Sequence, residues 1–179
     1  MSSSGLPAVT LILGGARSGK SRHGEMLIEA AMGDAGATYL ATAEPGDAEM
    51  AARIAAHRER RGPRWTTVEA PLEFGHAIAA APGPVLVDCL TLWLSNLMAA
   101  ERDLEAEGTA LIAALNAATN PVVLISNEVG LGIVPMNGLA RVFRDAAGRL
   151  HQRVAAASDH VVFMAAGLPL DLKPPRNAA

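Results

Sequence analysis

Short apolar runs alternate along this chain with longer stretches in which apolar residues recur every three or four positions. Ala8-Val9-Thr10-Leu11-Ile12-Leu13, Ala37-Thr38-Tyr39-Leu40-Ala41-Thr42, Trp65-Thr66-Thr67-Val68-Glu69, Val85-Leu86-Val87-Asp88, Pro121-Val122-Val123-Leu124-Ile125-Ser126 and His160-Val161-Val162-Phe163-Met164 are too short for helices. Their hydrophobicity is largely uninterrupted, as in strands buried on both faces of a parallel sheet. Helical spacing appears at Met26, Leu27, Ala30 and Ala31, and from Asp47 to about Arg61, where His57 shares the side or edge of Met50 and Ile54. Leu72 to Ala81, Leu90 to Ala100 and Asp103 to Ala118 also read as helices. Gly138 to Ala157 is the plainest, with Leu139, Val142, Ala146, Leu150 and Val154 on one face. Gly33 to Gly36, Pro45-Gly46, Gly62-Pro63 and Pro82-Gly83-Pro84 punctuate the pattern. Strands alternating with helices predict an α/β fold around a mainly parallel central sheet. No repeat or linker divides the chain, so residues 1–179 are expected to form a single domain. Residues 1–7 and the Pro-rich tail from Ala165 to Ala179, 168–179 above all, are expected to be irregular.

Composition narrows the class. Half of the residues are hydrophobic and only 3% aromatic, with a mean hydropathy of +0.23, which fits a compact core of alanine and short aliphatics. The net charge is −3 and there is no basic tail, so nucleic acid is not an expected partner. Nothing approaches 18 consecutive apolar residues, so no membrane span is expected. The start, Met1-Ser2-Ser3-Ser4-Gly5-Leu6-Pro7, lacks the charged and apolar regions of a signal peptide and reads as a short leader. The single cysteine, Cys89, cannot form an internal disulfide and is expected as a small buried hydrophobe in a cytoplasmic protein. Lys20 and Lys173 are the only lysines among fifteen basic residues. Arginine supplies the rest, a bias that suits bidentate phosphate contacts where several converge.

Lys20 stands in the stretch that carries the chemistry. Gly14-Gly15-Ala16-Arg17-Ser18-Gly19-Lys20-Ser21 fits G-x-x-x-x-G-K-[ST] between a predicted strand and a predicted helix. Gly14 and Gly19 let successive N–H groups turn inward as an anion nest, and the following helix adds its dipole. Lys20 reaches the β/γ-phosphates, and the Ser21 hydroxyl is placed to hold Mg²⁺. Val85-Leu86-Val87-Asp88 has the form of the second motif of such proteins, whose acid stands near that Mg²⁺; a strand-end Asp alone could be a structural cap, but paired with the intact loop the metal role is the favoured reading.

Other positions stay open on residue chemistry alone. His57 is either a partly buried structural histidine or an imidazole working on a phosphorylated substrate, as Arg53, Arg58, Arg60 and Arg61 around it would suit. Glu69 either meets a nucleotide's sugar or base or is a solvated strand end. Glu128, just beyond a strand's carboxyl end, is a candidate for substrate positioning or base work. Leu131-Gly132-Ile133-Val134-Pro135-Met136-Asn137 suits a lid or a wall for a bulky partner, or a packed loop. Trp93, Leu94 and Leu97 form a stripe for the core or a subunit contact, and Arg141, Arg144, Arg149 and Arg153 a solvated helix surface.

Four segments together carry a family resemblance: Gly14 to Arg22; Glu49-Met50-Ala51-Ala52-Arg53-Ile54 with His57-Arg58; Val87-Asp88-Cys89-Leu90-Thr91-Leu92-Trp93-Leu94-Ser95-Asn96-Leu97; and Asn127-Glu128-Val129-Gly130-Leu131-Gly132-Ile133-Val134-Pro135. In this order they resemble the bifunctional adenosylcobinamide kinase / adenosylcobinamide-phosphate guanylyltransferases of cobalamin biosynthesis. The resemblance implies a RecA-like, three-layer phosphate-loop fold. It implies phosphorylation of adenosylcobinamide by ATP or GTP, then transfer of GMP from GTP to adenosylcobinamide-phosphate through a GMP–histidine intermediate, at the position of His57. It further implies that the loop, Thr42, Arg58, Glu69 and Asp88 contact nucleotide, and that the protein is a homotrimer with sites near subunit interfaces. Where some relatives carry two adjacent histidines, this chain has Ala56-His57.

The rival classes differ in what they require. A small-molecule kinase needs the loop, Ser21 and Asp88 but no covalent histidine. A GTPase switch would carry N-K-x-D, which does not occur. A non-catalytic nucleotide-binding subunit would leave His57 and Glu128 inert.

Overall fold

The computed structural model describes residues 5–43 and 62–175. The helix expected from Asp47 to Arg61, with His57 and Arg58, lies outside the described residues. The elements in chain order are β1 (Val9–Gly14), α1 (Lys20–Ala31), β2 (Ala37–Ala41), β3 (Trp65–Glu69), α2 (Gly75–Ala80), β4 (Val85–Asp88), α3 (Leu90–Ala99), α4 (Leu104–Ala117), β5 (Val122–Asn127), α5 (Gly138–Ala157), β6 (His160–Ala165) and β7 (Leu168–Lys173). Among the described residues, seven strands form one sheet in the order β3-β2-β4-β5-β1-β6-β7, parallel throughout except for antiparallel β7.

Period-2 strand geometry divides the core into two layers. Val9, Leu11 and Leu13 of β1, Val85 and Val87 of β4, and Val122 and Leu124 of β5 face one side, where Ile78, Trp93, Leu97, Leu111, Leu115, Leu150 and Val154 of α2 to α5 cover them. Ile12, Leu86, Val123 and Ile125 face the other side and pack with Ile28 of α1. Helices on both faces explain why these strands are apolar throughout, and the result is the expected three-layer α/β fold. Trp93 and Leu97 of the predicted stripe are core, and its indole N–H donates to the Leu72 carbonyl at 2.7 Å.

Among the described residues, two helix starts are capped by side chains. Asp103 Oδ1 accepts from the N–H groups of Glu105 and Ala106, and Asn137 Oδ1 from those of Leu139 and Ala140. The α5 arginines do more than meet solvent. Arg153 ties α5 to α4 through Glu105 Oε2 at 2.9 Å and Thr109 Oγ1 at 2.8 Å, and Arg141 donates to the carbonyls of Pro135 and Met136.

Three expectations need correction. The segment from Leu72 is helical only over α2, because the chain turns through Pro71-Leu72-Glu73 before it can begin a helix. The apolar face of α5 is buried only from Ala146 onward. Leu139 and Val142 are 68% and 53% exposed because the first turns run out past the sheet, alongside the exposed Leu131, Ile133 and Met136. The tail is not irregular over 168–173: it forms β7 on the sheet edge. Ala166 (φ 53) and Gly167 (φ 81) make the left-handed two-residue turn that a tight hairpin needs. Pro169 is tolerated because an edge strand has one row of N–H groups without a neighbouring strand. The Lys173 ammonium donates to the carbonyls of Ala155, Ala156 and Ser158 at the carboxyl end of α5, satisfying groups the helix itself leaves open.

Close packing of α1 on the sheet depends on Gly24. A Cβ there would stand 2.9 Å from Leu86 Cδ1, 3.2 Å from Ile125 Cδ1 and 3.4 Å from Ile12 Cδ1. Gly24→Val is expected to lower stability by about 1–3 kcal/mol, the usual cost of overpacking, by lifting α1 off the sheet. Chemical denaturation of the variant beside the wild type checks it.

Candidate functional site

Parallel pairing brings the strand ends with functional side chains to one edge. Gly14 is in register with Asn127, Asp88 with Ile125, and Ala41 with both Asp88 and Glu69. The phosphate-loop sequence, Thr42, Glu69, Asp88 and Glu128 therefore all lie along the carboxyl edge, where open α/β sheets bind ligands.

The loop is shaped by contacts of backbone on backbone. Gly14 has φ 152, and a Cβ on it would fall 2.5 Å from the Met164 carbonyl oxygen and 2.8 Å from Ser18 Oγ. The Ser18 N–H donates to the Gly15 carbonyl at 3.3 Å, closing a turn around Ala16 and Arg17, which has φ 55. Gly19, also left-handed, leads directly into α1. Lys20 is buried, and its Nζ donates back to the Gly15 carbonyl at 2.5 Å, so the loop curls around its own lysine. From the hairpin, the Gly167 N–H donates to the Ser18 carbonyl at 3.0 Å. The Ser18 hydroxyl is buried without a hydrogen-bond partner among the described residues. A buried hydroxyl in that state calls for a ligand or water, and a loop ending on a helix N-terminus, with an ammonium enclosed, suits phosphate oxygens.

Beside the loop, Ser21 Oγ donates to Asp88 Oδ2 at 2.8 Å and Tyr39 Oη donates to the same oxygen at 2.9 Å. A hydroxyl that gives its proton to a carboxylate keeps its lone pairs for a cation. One hydroxyl and one carboxylate, both hard oxygen donors, are a set that fits Mg²⁺ beside a bound phosphate. The described residues include no cluster of three or more His, Cys, Asp or Glu side chains that would hold a metal without such help. Next to Asp88, burial and the Asp88 charge push the Cys89 thiol up, so it is a protonated packing group rather than a nucleophile.

The remaining predicted residues have distinct surroundings. Thr42 is fully buried, and its hydroxyl accepts the Cys89 N–H at 2.7 Å and donates to the Cys89 carbonyl at 2.8 Å, bracing the chain just after Asp88. Glu69 is exposed at the end of β3, separated from Asp88 by β2. Glu128 follows β5 directly; its N–H donates to the Gly14 carbonyl at 3.0 Å, and its Oε1 accepts the Gly130 N–H at 2.5 Å. His57 and Arg58 are outside the described residues.

Two residues that the sequence reading passed over join this group. Ser126 Oγ and His151 Nε2 are 2.7 Å apart in the interior, and His151 Nδ1 lies 3.7 Å from Glu128 Oε2. The signal for His151 was its spacing, since it continues the buried stripe of Ala147, Leu150 and Val154 on α5. Burial lowers the His151 pKa, and the opposing pull of the Glu128 carboxylate is the weaker effect.

A strand–loop–helix that closes around a lysine, with a hydroxyl–carboxylate pair beside it on a parallel sheet, defines a phosphate-loop nucleotide-binding protein. The chain belongs to the family described as cobinamide kinase / cobinamide phosphate guanyltransferase, whose family model matches residues 10–172. It is 48% identical over 168 residues to the bifunctional adenosylcobalamin biosynthesis protein CobP of Pseudomonas aeruginosa, covering 91% of this chain and 96% of that protein. It is 43% identical over 182 residues to the corresponding CobU of Salmonella typhimurium, covering 91% and 98%. Among solved structures, the flagellar accessory protein FlaH of Methanocaldococcus jannaschii superposes with a TM-score of 0.56 at 10% identity, over 96% of this chain and 80% of that one. A type III secretion ATPase of pathogenic bacteria also gives 0.56, at 13% identity, over 92% and 57%. These two likenesses show the fold alone, an α/β architecture around a mainly parallel sheet.

Because the folded state holds His151 below the free-histidine value of 6.5, the unfolded chain takes up more protons on acidification. Stability from this residue is present above pH ~6.5 and is lost as pH falls through that value toward the lowered folded one. His23, lowered by burial and by His160, acts in the same direction. Melting temperature is therefore expected to drop between about pH 7.5 and 5, with a visibly shallower drop in His151→Gln. Equal slopes in the two proteins would contradict the assignment.

Proposed function

We infer that the chain carries both activities of its family. It transfers the γ-phosphoryl group of ATP or GTP to the aminopropanol hydroxyl of adenosylcobinamide. It then transfers GMP from GTP to the resulting phosphate, giving adenosylcobinamide-GDP and pyrophosphate. The observation that carries this reading is the phosphate loop closed on Lys20 with the Ser21–Asp88 pair at 2.8 Å beside it, in a chain of this family.

Lys20 and the loop N–H groups from Gly14 to Ser21, with Ala16, Arg17 and Ser18 at the turn, hold the phosphates, and Ser21 and Asp88 hold Mg²⁺. When bound there, Mg²⁺ would supply charge neutralisation to the nucleotide phosphates. Tyr39 shares the Asp88 oxygen and keeps that carboxylate turned toward Ser21. Thr42 braces the strand end, Arg58 neutralises phosphate charge, and Glu69 meets the nucleotide from the β3 end. Glu128, at the carboxyl end of β5, orients the acceptor in this reading.

In the second reaction a neutral imidazole nitrogen of His57 attacks the α-phosphorus of GTP, forming a P–N bond as the P–O bond to pyrophosphate breaks. An oxygen of adenosylcobinamide-phosphate then attacks the same phosphorus, the P–N bond breaks and the imidazole is restored. A single domain spanning 1–179 does both steps, as a cytoplasmic homotrimer that does not use nucleic acid. No helix among the described residues is long and apolar enough to cross a membrane. The exposed Leu131, Ile133, Met136, Leu139 and Val142 offer an apolar surface to a neighbouring subunit or a bulky acceptor.

Incubation with Mg²⁺ and GTP labelled at the α-phosphorus is expected to leave acid-labile, base-stable label on the denatured protein, and His57→Ala to abolish it. Absence of label in the wild type, with γ-phosphate still reaching adenosylcobinamide, would leave a kinase alone. Lys20→Ala is expected to lower phosphoryl transfer by about 10²-fold or more, the scale of losing one preorganised electrostatic contact, with a far-ultraviolet circular dichroism spectrum like that of the wild type.

A further inference from the structure

Behind the carboxyl edge, three polar side chains run in a line from the core to the site. Ser126, fully buried near the end of β5, stands 2.7 Å from Nε2 of His151, which is 6% exposed on α5. The other ring nitrogen, Nδ1, faces Glu128 Oε2 at 3.7 Å. Glu128 in turn is held from two more sides: its Oε1 takes the Gly130 N–H at 2.5 Å, and its own N–H is bonded to the Gly14 carbonyl at 3.0 Å. With a side chain 22% exposed, the carboxylate still meets solvent at the edge where the loop begins.

The chemistry of a neutral imidazole decides the direction of this line. It has one N–H and one lone pair, and the hydrogen bond at one nitrogen sets the state of the other. A lone pair at Nδ1 would face a carboxylate oxygen and be repelled; an N–H there points a dipole at it. Nδ1 therefore carries the proton, and Nε2 accepts from the Ser126 hydroxyl. At 3.7 Å the Nδ1 contact is beyond hydrogen-bond length and acts as an orienting electrostatic one. A purely structural histidine would need only the Ser126 contact. The alignment of the second nitrogen with an acid beside the phosphate loop is the additional observation.

We propose that His151 is a positioning residue for phosphoryl transfer: with its tautomer fixed by Ser126, its Nδ1–H holds the Glu128 carboxylate in one orientation at the end of β5, where it accepts a hydrogen bond from the acceptor hydroxyl. This rests on the kinase reading given above. Through Glu128, His151 acts on turnover without touching nucleotide or acceptor, and the nucleotide's own binding does not depend on it.

The amide variants separate the two nitrogens. In His151→Asn the side-chain N–H₂ stands near the place of Nδ1, whereas in His151→Gln the amide reaches toward Ser126 in place of Nε2. With ATP and adenosylcobinamide, His151→Gln is expected to lower kcat by about 10-fold, with KM for ATP changed less than about 2-fold, and His151→Asn to recover most of the loss, as the scale of general acid–base and orienting effects allows. In Glu128→Gln, a further His151→Gln change is expected to leave kcat where it is. Restoration by Gln but not Asn, or multiplicative kcat losses in the double variant, would return His151 to a structural role. Nitrogen-15 NMR of histidine-labelled wild type reads the ring directly and needs no turnover: an Nδ1–H tautomer that shifts in Glu128→Gln is expected, and an Nε2–H tautomer in the wild type overturns the proposal. Wild type with the expected tautomer but no phosphoryl transfer would overturn the kinase reading, and the catalytic part of this proposal with it.

Discussion

The Met164 carbonyl oxygen lies 2.5 Å from the place a Cβ on residue 14 would take, too close for any side chain, and this contact of main chain on main chain is the constraint from which the site follows. Because residue 14 has no side chain, β1 can end against β6 and turn sharply, and the next residues form a ring small enough for Lys20 to close. The same economy of side chain recurs one turn into α1, where Gly24 lets the helix rest on Leu86 and Ile125. A helix held that close delivers its N-terminal N–H groups to the sheet's carboxyl edge with little freedom to retreat. Preorganisation of this kind is what electrostatic stabilisation of phosphoryl transfer requires, since donors that need not reorient during the reaction contribute most.

The two acids on this edge are held in comparable ways with different results. Asp88 shares one oxygen between Ser21, at the end of the loop, and Tyr39 of β2, so two hydroxyls fix the same side of the carboxylate. Glu128 is fixed by a main-chain N–H on one oxygen and faces a neutral ring on the other. Neither carboxylate is neutralised by a lysine or arginine in these contacts. Hydroxyl, N–H and imidazole dipoles orient a negative charge without cancelling it, leaving it available to a cation in one case and to a hydroxyl proton in the other.

Much of this was legible in the sequence, for identifiable reasons. Strands β1, β2, β4 and β5 were visible because burial on both faces removes the polar alternation that would blur them, β3 and β6 as short β-branched and aromatic runs, and Gly138 to Ala157 because an apolar stripe kept its period over the whole helix. The loop was legible because its glycines, lysine and serine each answer a separate geometric or chemical demand. Strand β7 was not, since a proline and two charges disguise the alternation of Leu168, Leu170 and Leu172 on an exposed edge. Ser126 and His151 were missed for a different reason. Each lies in an apolar pattern that explains its neighbours, and only the packing of α5 against the end of β5 brings them to 2.7 Å. Thr42 shows the same limit from the other side: its place at a strand end was readable, but its two hydrogen bonds to the Cys89 backbone depend on two strands meeting.

The hairpin that was hardest to read connects both halves of the site. Its turn reaches the phosphate loop through the Gly167 N–H on the Ser18 carbonyl, and its last residue, Lys173, closes the carboxyl end of α5. Asp171 of β7 pairs with His160 at 2.8 Å, fastening the edge strand across the start of β6. The glycine-rich loop and the helix that carries His151 are thus secured by one antiparallel strand at the end of the sheet. An edge strand with three exposed leucines gains little from its own burial, so its order depends on these polar ties, and they in turn fix elements at opposite ends of β1.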